Sequence, residues 1–271
     1  LLSPLDGDPV SAPTDVLATV ILDPAATLLS WSAIAYPQGG DVADATILGG
    51  GNGALPGTLG AFDPTLIANG LWTLELEAQD SFGRNVISQT TMLIDGNMKL
   101  GSYDVAFVDA QWTSSVTSLS MVRSYTTLRK DTRGDFGYGW DLSIVDVEVQ
   151  MNGPLGEGGW SQAACGEGSL YVPICTTSTK PHLVVVKWSN GAVEDFELTP
   201  ATGLSWFPGV TAVAYTPRAG VQSTLAPVAG EDTVAYIGDD NLYRGLGGGE
   251  PYTATQFLLT TQSGVEYLLD V

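Results

Sequence analysis

Basic residues are scarce in this chain of 271 residues, which has ten Lys and Arg against 30 Asp and Glu and a net charge of −20. Negative charge of this size repels phosphate backbones and anionic lipid headgroups. We therefore expect no nucleic-acid partner. The excess of carboxylates is typical of a solvated acidic surface, which favours solubility and also suits divalent cations.

Long hydrophobic runs are also missing, because no stretch approaches the roughly 20 apolar residues that a membrane-spanning helix needs. We therefore expect no membrane insertion. The first residues, "LLSPLDGDP", lack the basic and apolar regions of a signal peptide and do not begin with Met. We interpret the chain as a piece processed out of a longer polypeptide.

Cysteine and histidine are rare: the chain has two Cys and one His. These are too few for an ordinary structural zinc site. Cys165 and Cys175 flank the segment "GEGSLYVPI", and this short spacing with Gly and Pro between them predicts a disulfide-closed surface loop in an exported chain. Two free buried thiols are the alternative.

Catalytic constellations are not found. A Ser-His-Asp triad would need the single histidine, His182, yet this residue begins a predicted strand and no Gly-x-Ser-x-Gly elbow exists. We interpret it as a structural residue at a strand edge. The "GGGNGA" stretch (49–54) formally matches a dinucleotide pattern, but no helix follows it. Acidic pairs such as Glu194 and Glu197 do not define a cleft. The sequence therefore predicts a protein that is not an enzyme.

Clusters of oxygen ligands occur at 6–8 ("DGD") and 238–241 ("GDDN"). Carboxylate and amide oxygens are the ligands that calcium prefers, but neither cluster follows the twelve-residue loop pattern. We expect no cofactor, and calcium binding is the open alternative.

Alternating apolar and polar residues dominate the first part of the chain, and Gly (33) and Pro (15) interrupt the pattern throughout. The segments "LWTLELEAQD" (71–80) and "NVISQTTMLID" (85–95) flank a "SFGR" turn and predict a β-hairpin. Asp63-Pro64 predicts the capped start of one helical turn. Further strands are predicted at 14–22 and 26–36. Strands at this spacing predict an Ig-like β-sandwich over residues 1–96.

A polar, glycine-flanked joint, "DGNMKLG" (95–101), marks the predicted boundary between domains 1–96 and 97–271. The predicted strands and hairpins of the second domain lie at 102–113, 119–128, 140–151, 182–198 and 255–270. Asn190-Gly191 and Ser263-Gly264 occupy the turns of the last two. We expect an all-β fold in which a mostly antiparallel sheet follows the sandwich.

Four of the few basic residues precede a Gly-aromatic cluster; these are Arg123, Arg129, Lys130 and Arg133. In an extended "FGYGW", Phe136, Tyr138 and Trp140 share one face, which predicts that they pack in a core. We expect Arg123 to brace this corner by bonding carbonyls or by pairing with Asp135 or Asp141. The other three basic residues are expected to form a solvated loop, with a ligand-binding basic patch as the alternative.

The segment "SMVRSYTTLRKDTRGDFGYGWDLSI" resembles the entry segment of Rhs/YD-repeat proteins, in which Arg-x-Tyr ends a strand and Gly-x-Phe-Gly-x-Gly-Trp leads into the next. The residues on that pattern are Arg123, Tyr125, Gly134, Phe136, Gly137, Gly139 and Trp140. "TTQSGVEYLLDV" resembles the stretch before the tandem repeats, and 1–96 resembles the bacterial Ig-like module found upstream. The chain has no YD repeat, since Tyr103-Asp104 belongs to the entry strand.

The resemblance implies a structural role. In that family, long strands spiral into a hollow β-shell that encapsulates a C-terminal polypeptide, often a toxin, and teneurin-like surface proteins share the shell. We expect a non-catalytic module of a secreted or cell-surface bacterial protein that starts such a shell. Its partner would be the remainder of the parent polypeptide, namely the YD-repeat shell and its cargo. The alternative is a module that binds carbohydrate or a cell-surface protein through exposed aromatic residues.

Overall fold

The computed structural model describes residues 1–40, 42–96, 98–113, 118–131, 133–143, 147–165, 174–188, 191–201, 210–238, 242–245 and 249–271. These residues form 23 strands and three short 3₁₀ turns, and they contain no α-helix. The prediction of an all-β, mostly antiparallel chain is confirmed. No described segment forms a helix long and apolar enough to cross a membrane.

The described chain divides into two compact units, one made of 1–148 with 187–193 and the other of 149–186 with 194–271. Each unit is considered by itself below. The division into domains 1–96 and 97–271 stays a prediction.

Twelve strands lie wholly in the first unit. They are β1 (Pro9–Val10), β2 (Thr14–Leu17), β3 (Leu28–Pro37), β4 (Thr46–Asn52), β5 (Thr58–Phe62), β6 (Gly70–Asp80), β7 (Asn85–Ile94), β8 (Asp104–Thr113), β9 (Ser118–Thr126), β10 (Arg133–Gly134), β11 (Gly137–Tyr138) and β12 (Trp140–Ser143). The 3₁₀ turns are Val42–Asp44, Pro64–Leu66 and Thr127–Arg129. The sheets have the orders β1-β7-β6-β3-β4, β2-β5, β12-β9-β8 and β10-β11, and only the short β1–β7 pair is parallel among those whose register is described.

The hairpin predicted at 71–80 and 85–95 is confirmed, since β6 and β7 pair antiparallel along their whole length. Asp80 closes its turn by accepting hydrogen bonds from the backbone N–H groups of Phe82 and Arg84, at 2.9 and 3.0 Å. The helical turn predicted after Asp63 is present as Pro64–Leu66 and is capped by the Asp63 carboxylate. These local signals work because they rest on hydrogen bonds within four residues.

The core of the first unit lies between the five-stranded sheet and the β2–β5 pair. It is made of alternate residues of the strands together with a few from the connecting segments; these are Val10, Val16, Ala18, Trp31, Ala33, Ala35, Leu59, Phe62, Trp72, Leu74, Leu76, Ala78, Met92 and Ile94. β6 contributes Trp72, Leu74, Leu76 and Ala78 to one face, as its alternation predicts. The predicted strand 14–22 is paired only over β2, and residues 18–22 continue without a paired strand.

The glycine-rich stretch of β4 allows two strands to approach closely. A Cβ atom built on Gly60 of β5 would overlap the carbonyl oxygen of Leu48, and one on Gly49 would overlap the carbonyl oxygen of Leu59. β4 follows a 3₁₀ turn and leads into a loop rather than into a helix. The structure therefore gives the glycines of 49–54 a packing reason and not a phosphate-binding one.

The second unit is built on a nine-stranded sheet and one hairpin. The strands are β13 (Val147–Met151), β14 (Trp160–Ala164), β15 (Ile174–Ser178), β16 (Leu183–Trp188), β17 (Val193–Pro200), β18 (Val210–Pro217), β19 (Thr224–Pro227), β20 (Thr233–Ile237), β21 (Leu242–Gly245), β22 (Gln256–Thr260) and β23 (Glu266–Asp270). The main path is β13-β16-β17-β18-β19-β22-β23; β20 pairs with β18, and β21 pairs with β20. The β14–β15 hairpin forms its own sheet.

Two predicted hairpins fall in this sheet. β22 and β23 pair antiparallel, with Gly264 at a φ of 82° in their turn, which confirms the hairpin at 255–270. β16 and β17 are also neighbours, and Gly191 lies between them with a φ of 82°. Asn190, the other residue of that predicted turn, lies outside the described residues. Positive φ at both glycines explains why Gly is used there.

The predicted disulfide is confirmed. Cys165 and Cys175 are bonded, with their Cα atoms 5.5 Å apart. Cys175 lies on β15 opposite Ala163 of β14, so the bond lies at the end of the hairpin where the chain passes from one strand to the other. No free cysteine remains in the chain.

We predict that Gly60→Ala destabilises the first unit, because the added methyl group has no room beside the Leu48 carbonyl. Overpacking of this kind costs about 1–3 kcal/mol. The matched control is Gly57→Ala, since no heavy atom lies within 4 Å of a Cβ built there. Chemical denaturation of both variants measures the difference, and equal stability would refute the close approach of β4 and β5.

Candidate functional site

The three-stranded sheet of β8, β9 and β12 carries an apolar face and a polar face. Its register places Phe107, Arg123 and Leu142 side by side across the strands. Val105, Tyr125 and Trp140 form the next such row on the same face. The opposite face carries no aromatic residue at the alternate positions described and presents aliphatic and polar residues instead, among them Ala106, Val108, Ser120, Val122, Ser124 and Asp141. Because successive residues of a strand point to opposite faces, the register separates the two surfaces.

A bulge in β8 extends the apolar face. The register shifts between Val108 and Ala110, so Asp109 has no partner residue in β9. After the shift Trp112, opposite Leu119, lies on the same face as Phe107. A bulge re-aims the side chains that follow it, and here it keeps a second large aromatic on this surface. We call Phe107, Trp112, Tyr125 and Trp140, with Arg123 among them, the aromatic face.

Arg123 occupies the middle of the aromatic face. Its guanidinium carbon lies 5.6 Å from the ring centres of Phe107 and Trp140 and 5.7 Å from that of Phe136. Its Nη2 atom forms an ion pair with Asp109, at 3.1 Å. A cation among aromatic rings is stabilised by their negative faces. The carboxylate of Asp109, the residue at the bulge, neutralises the positive charge of Arg123 between the rings.

The predicted partners of Arg123 are wrong. Asp135 instead accepts a hydrogen bond from the backbone N–H of Leu142, at 3.0 Å. Asp141 forms an ion pair with Arg129 of the 3₁₀ turn Thr127–Arg129. The physical reason is the pairing of β8 with β9, which sets Phe107 opposite Arg123 and brings Asp109 within reach although Asp109 and Arg123 are 14 positions apart.

The other basic residues differ from one another. Arg129 is half-buried through its ion pair with Asp141 and so does not belong to a solvated loop. Lys130 and Arg133 are exposed, and the Lys130 ammonium lies 4.0 Å from the Asp131 carboxylate. Arg123 and Arg129 each form an ion pair with a carboxylate, which speaks against a basic ligand-binding patch.

The prediction that Phe136, Tyr138 and Trp140 share one buried face is wrong. Phe136 is 53% exposed and Tyr138 is 64% exposed, while Trp140 is half-buried. Residues 135–136 form a turn between β10 and β11, and φ is 114° at Gly137. The chain is therefore not extended there, so the alternation that would align the three rings is lost.

The motif residues nevertheless meet in one corner. Trp140 lies opposite Tyr125, with their ring centres 5.3 Å apart, and stacks on Phe107 at 6.3 Å. A Cβ on Gly139, whose φ is 76°, would lie 2.7 Å from the Tyr125 ring. A Cβ on Gly134 would overlap the carbonyl oxygen of Trp140. The glycines thus let the backbone pass close to the aromatic and carbonyl groups of the neighbouring strands. The part of this motif in folding stays a prediction.

The aromatic face is open to solvent. Phe107 is 48% exposed and Trp112 is 56% exposed. Sequence reasoning identified Arg123, Tyr125 and Trp140 but missed Phe107, Asp109 and Trp112. Alternation in "SYDVAFVDAQWT" predicts that Phe107 and Asp109 share a face and places Trp112 on the other one. The bulge moves Trp112 to the face of Phe107, and nothing in the sequence pattern indicates the bulge.

The remaining candidates do not form a catalytic or metal site. His182 is buried, stacks on Trp160 with ring centres 4.2 Å apart, and shares a hydrogen bond between Nε2 and Ser178 Oγ at 2.9 Å. It is therefore a buried structural residue that directly precedes β16. Within the described ranges no group of three His, Cys, Asp or Glu residues is arranged to hold a metal ion.

Of the two oxygen-rich clusters, the one at 6–8 lies wholly among the described residues. The Asp6 carboxylate accepts the Thr91 N–H at 2.9 Å, and the Asp8 carboxylate accepts the Leu5 N–H at 2.8 Å. The Asp6 carboxylate therefore holds this segment against β7, and the Asp8 carboxylate closes a local turn. Residues 239–241 of the second cluster lie outside the described residues.

Comparison with known proteins identifies no relative. A scan against protein-family models finds no match to this chain, and a search of curated proteins finds no match either. The function is therefore argued from the geometry of the aromatic face.

We predict that Gly139→Ala destabilises the fold more than Gly137→Ala. Both residues have positive φ, which costs about 1–2 kcal/mol for an alanine. A Cβ at Gly139 additionally meets the Tyr125 ring, whereas none of the heavy atoms described lies within 4 Å of one at Gly137. Thermal unfolding monitored by tryptophan fluorescence compares the two variants. The same midpoint in both would contradict the contact with Tyr125.

We predict that protonation of His182 destabilises the second unit. Burial first, and the nearby positive charge of Lys180 second, lower the pKa of His182 from 6.5 to about 4. The unfolded chain therefore binds this proton more tightly than the folded chain. The stability contributed by neutral His182 is fully present above about pH 6.5 and is lost as the pH falls towards 4, by about 3 kcal/mol in total.

His182 is the only histidine, so its imidazole proton gives a single NMR signal that reports its pKa directly. Denaturation at several pH values should show a shallower dependence between pH 4 and 6.5 in His182→Phe, which keeps an aromatic ring on Trp160. A measured pKa near 6.5 in the folded protein would contradict the burial.

Proposed function

We propose that the chain is a non-catalytic structural module of a larger secreted or cell-surface bacterial protein of the Rhs/YD-repeat type. In this proposal the aromatic face is a docking surface that the remainder of the parent polypeptide covers. The observation that supports this proposal is the exposure of the aromatic face. Only one of the two faces of its sheet carries aromatic residues at the described positions, and that face is open to solvent. The entry-segment resemblance supports the same assignment.

A polypeptide surface suits the aromatic face for a physical reason. Burial of a solvent-exposed phenyl ring stabilises an interface by about 1.5–3 kcal/mol. On the aromatic face, Phe107 and Trp112 are each about half exposed. The Arg123–Asp109 ion pair leaves the centre of the face without net charge. An apolar, electrically balanced surface favours packing against another apolar sheet face over binding a charged ligand.

The edge of the same sheet adds a second attachment. β8 has ten residues and pairs with β9 alone among the described strands. An unpaired edge strand is a template on which a further strand can add. A continuing β-shell would use both the open edge and the open face.

The Cys165–Cys175 disulfide supports an exported protein. Disulfides persist in oxidising compartments and are rare in the cytosol. The acidic balance of 30 Asp and Glu against ten Lys and Arg accords with a module exposed to an aqueous exterior.

Glycan binding is a second candidate for the aromatic face. Exposed rings stack on sugar rings, and an Arg–Asp pair can bond sugar hydroxyls. The exposure of Phe107, Trp112 and Phe136 is the observation that favours it.

The test compares Phe107→Ser with Val108→Ser in the parent polypeptide and in the chain alone. Val108 is the matched control, because it is 62% exposed on the opposite face of the same strand. When the remainder of the parent polypeptide is supplied separately, Phe107→Ser should weaken its Kd for the chain by about tenfold or more, and Val108→Ser should not.

Hydroxyl-radical footprinting gives an independent readout. Oxidation of Phe107 and Trp112 should be strong in the chain alone and suppressed in the parent polypeptide. Equal oxidation in both would overturn the docking proposal. Saturable quenching of tryptophan fluorescence by cellohexaose or chitohexaose, lost in Trp112→Ala, would instead establish the glycan candidate.

A further inference from the structure

The chain contains Asn-Gly pairs at 52–53, 69–70, 152–153 and 190–191. In such a pair the backbone nitrogen of the Gly can attack the side-chain amide of the Asn, because Gly has no Cβ atom that hinders the approach. Asn is accordingly counted among the thermally labile residues of proteins. In a folded chain, the rate of this reaction depends on what holds the Asn side chain. Asn190 lies outside the described residues, so the comparison concerns the first three pairs.

The side chain of Asn69 is held at both polar atoms of its amide. Its Nδ2 atom donates to the Gly191 carbonyl at 3.1 Å, and its Oδ1 atom accepts the N–H of Gly96 at 3.0 Å. Attack by the Gly70 nitrogen requires the Asn69 amide to turn towards that nitrogen, which breaks both hydrogen bonds. The fold therefore protects this pair.

The side chain of Asn152 is held in the same way. Its Nδ2 atom donates to the Pro181 carbonyl and its Oδ1 atom accepts the N–H of Leu183, both at 2.8 Å. The backbone N–H of Asn152 also donates to the Leu183 carbonyl, at 3.3 Å. These hydrogen bonds fix Asn152 against the segment that leads into β16, so the fold protects this pair too.

Asn52 differs from both, because its side chain is exposed and forms no hydrogen bond with the described residues. It is the last residue of β4 and lies opposite Ser30 of β3. The space beside the next residue is open as well, since no heavy atom lies within 4 Å of a Cβ built on Gly53. The Asn52 amide is therefore free to turn towards the Gly53 nitrogen.

One hydrogen bond opposes the attack. The Gly53 N–H donates to the Leu29 carbonyl at 2.9 Å, and the nitrogen must leave this carbonyl before it reacts. This bond lies beyond the last residue pair of β3 and β4, and β4 is the outermost strand of its sheet. The ends of strands at the margin of a fold open more readily than its core. The bond can therefore open while the first unit stays folded.

We propose that Asn52 is a site of spontaneous deamidation in the folded chain, and that its isoaspartate product releases the end of β4. The Gly53 nitrogen forms a bond to Cγ of Asn52, and the bond from Cγ to Nδ2 breaks. Ammonia leaves with the proton that the Gly53 nitrogen gives up. Water then opens the cyclic imide: attack at Cγ gives aspartate, and attack at the backbone carbonyl carbon of residue 52 gives isoaspartate. Water is the only co-reactant.

Isoaspartate changes the backbone as well as the charge. It adds one methylene group to the main chain, so the groups that follow no longer keep the spacing and register of a strand. The Asn52–Ser30 pair and the Gly53–Leu29 hydrogen bond lie at this point. Aspartate adds a charge but keeps the spacing, so only isoaspartate detaches the strand end. This site is separate from the aromatic face and does not depend on the function proposed for it.

The test follows each pair by mass spectrometry of chymotryptic peptides while the native chain stands in mildly alkaline buffer. Two side-chain hydrogen bonds must break before Asn69 or Asn152 reacts, so Asn52 should deamidate faster than either by about tenfold or more. The same chain unfolded in urea is the matched control, because unfolding removes the protecting bonds and should bring the three rates together. Methylation by an isoaspartate-specific methyltransferase identifies the isoaspartate product.

Hydrogen exchange measures the release of the strand end. The chain with isoaspartate at position 52 should exchange the backbone amides of residues 46–53 faster than the unmodified chain. Asn52→Asp carries the same new charge on a normal backbone, so it is the control and should exchange these amides as slowly as the parent chain.

Two results would overturn the proposal. The first is deamidation of Asn52 in the native chain that is no faster than that of Asn69 or Asn152, because the Leu29 bond would then protect Asn52 equally well. The second is exchange at 46–53 that isoaspartate leaves unchanged, or that Asn52→Asp accelerates equally, because the changed backbone would then not release β4.

Discussion

The need of every backbone N–H and C=O group for a hydrogen-bond partner governs this molecule. In an all-β chain that need is met between strands and not within them, so each strand depends on a neighbour. Where the neighbour is present, as for β6 between β3 and β7, apolar residues pack beneath the ladder and a core forms. Where no described strand pairs with an edge, as beside β8, the molecule retains capacity to bind another strand.

The first unit therefore has two openings of different kinds. The aromatic face offers apolar surface area. A partner that binds there gains free energy from the burial of rings such as Phe107 and Trp112, and this contribution does not depend on direction. The edge of β8 offers directed hydrogen bonds, and the binding of a further strand there depends on register. Burial of apolar area selects weakly among partners, so the face tolerates varied partners. Directed hydrogen bonds select strongly, so the edge accepts only an extended backbone.

The interior of the second unit shows how the same chain satisfies polar groups away from water. Tyr243 is fully buried, and its hydroxyl bonds Thr176 and Gln162 at 2.6 and 2.9 Å. His182 and Ser178 form a second buried pair beside Trp160. These contacts hold the inner face of the β14–β15 hairpin, and the Cys165–Cys175 bond holds its end. Buried polar groups that are fully paired specify one arrangement of a core.

How far the sequence predicts this structure depends on the range of the interaction involved. The β6–β7 hairpin, the turn capped by Asp63 and the disulfide follow from residues close in the chain, and all three are present. The partner of Arg123 and the faces of Phe136 and Tyr138 are not predictable in this way. The first depends on the register in which β8 pairs with β9, and the second on positive φ at Gly137.

The wrong faces of Phe136 and Tyr138 and the missed face of Trp112 arise from a break in alternation, which a period-two pattern cannot reveal. A bulge adds one residue to a strand and moves every later side chain to the other face. At Asp109 this shift joins Trp112 to Phe107, and without it Trp112 would lie on the polar face. The place of Trp112 on the aromatic face therefore depends on a single backbone irregularity. A carboxylate at that position has a physical advantage, since it balances the guanidinium of Arg123 that the surrounding rings leave partly desolvated.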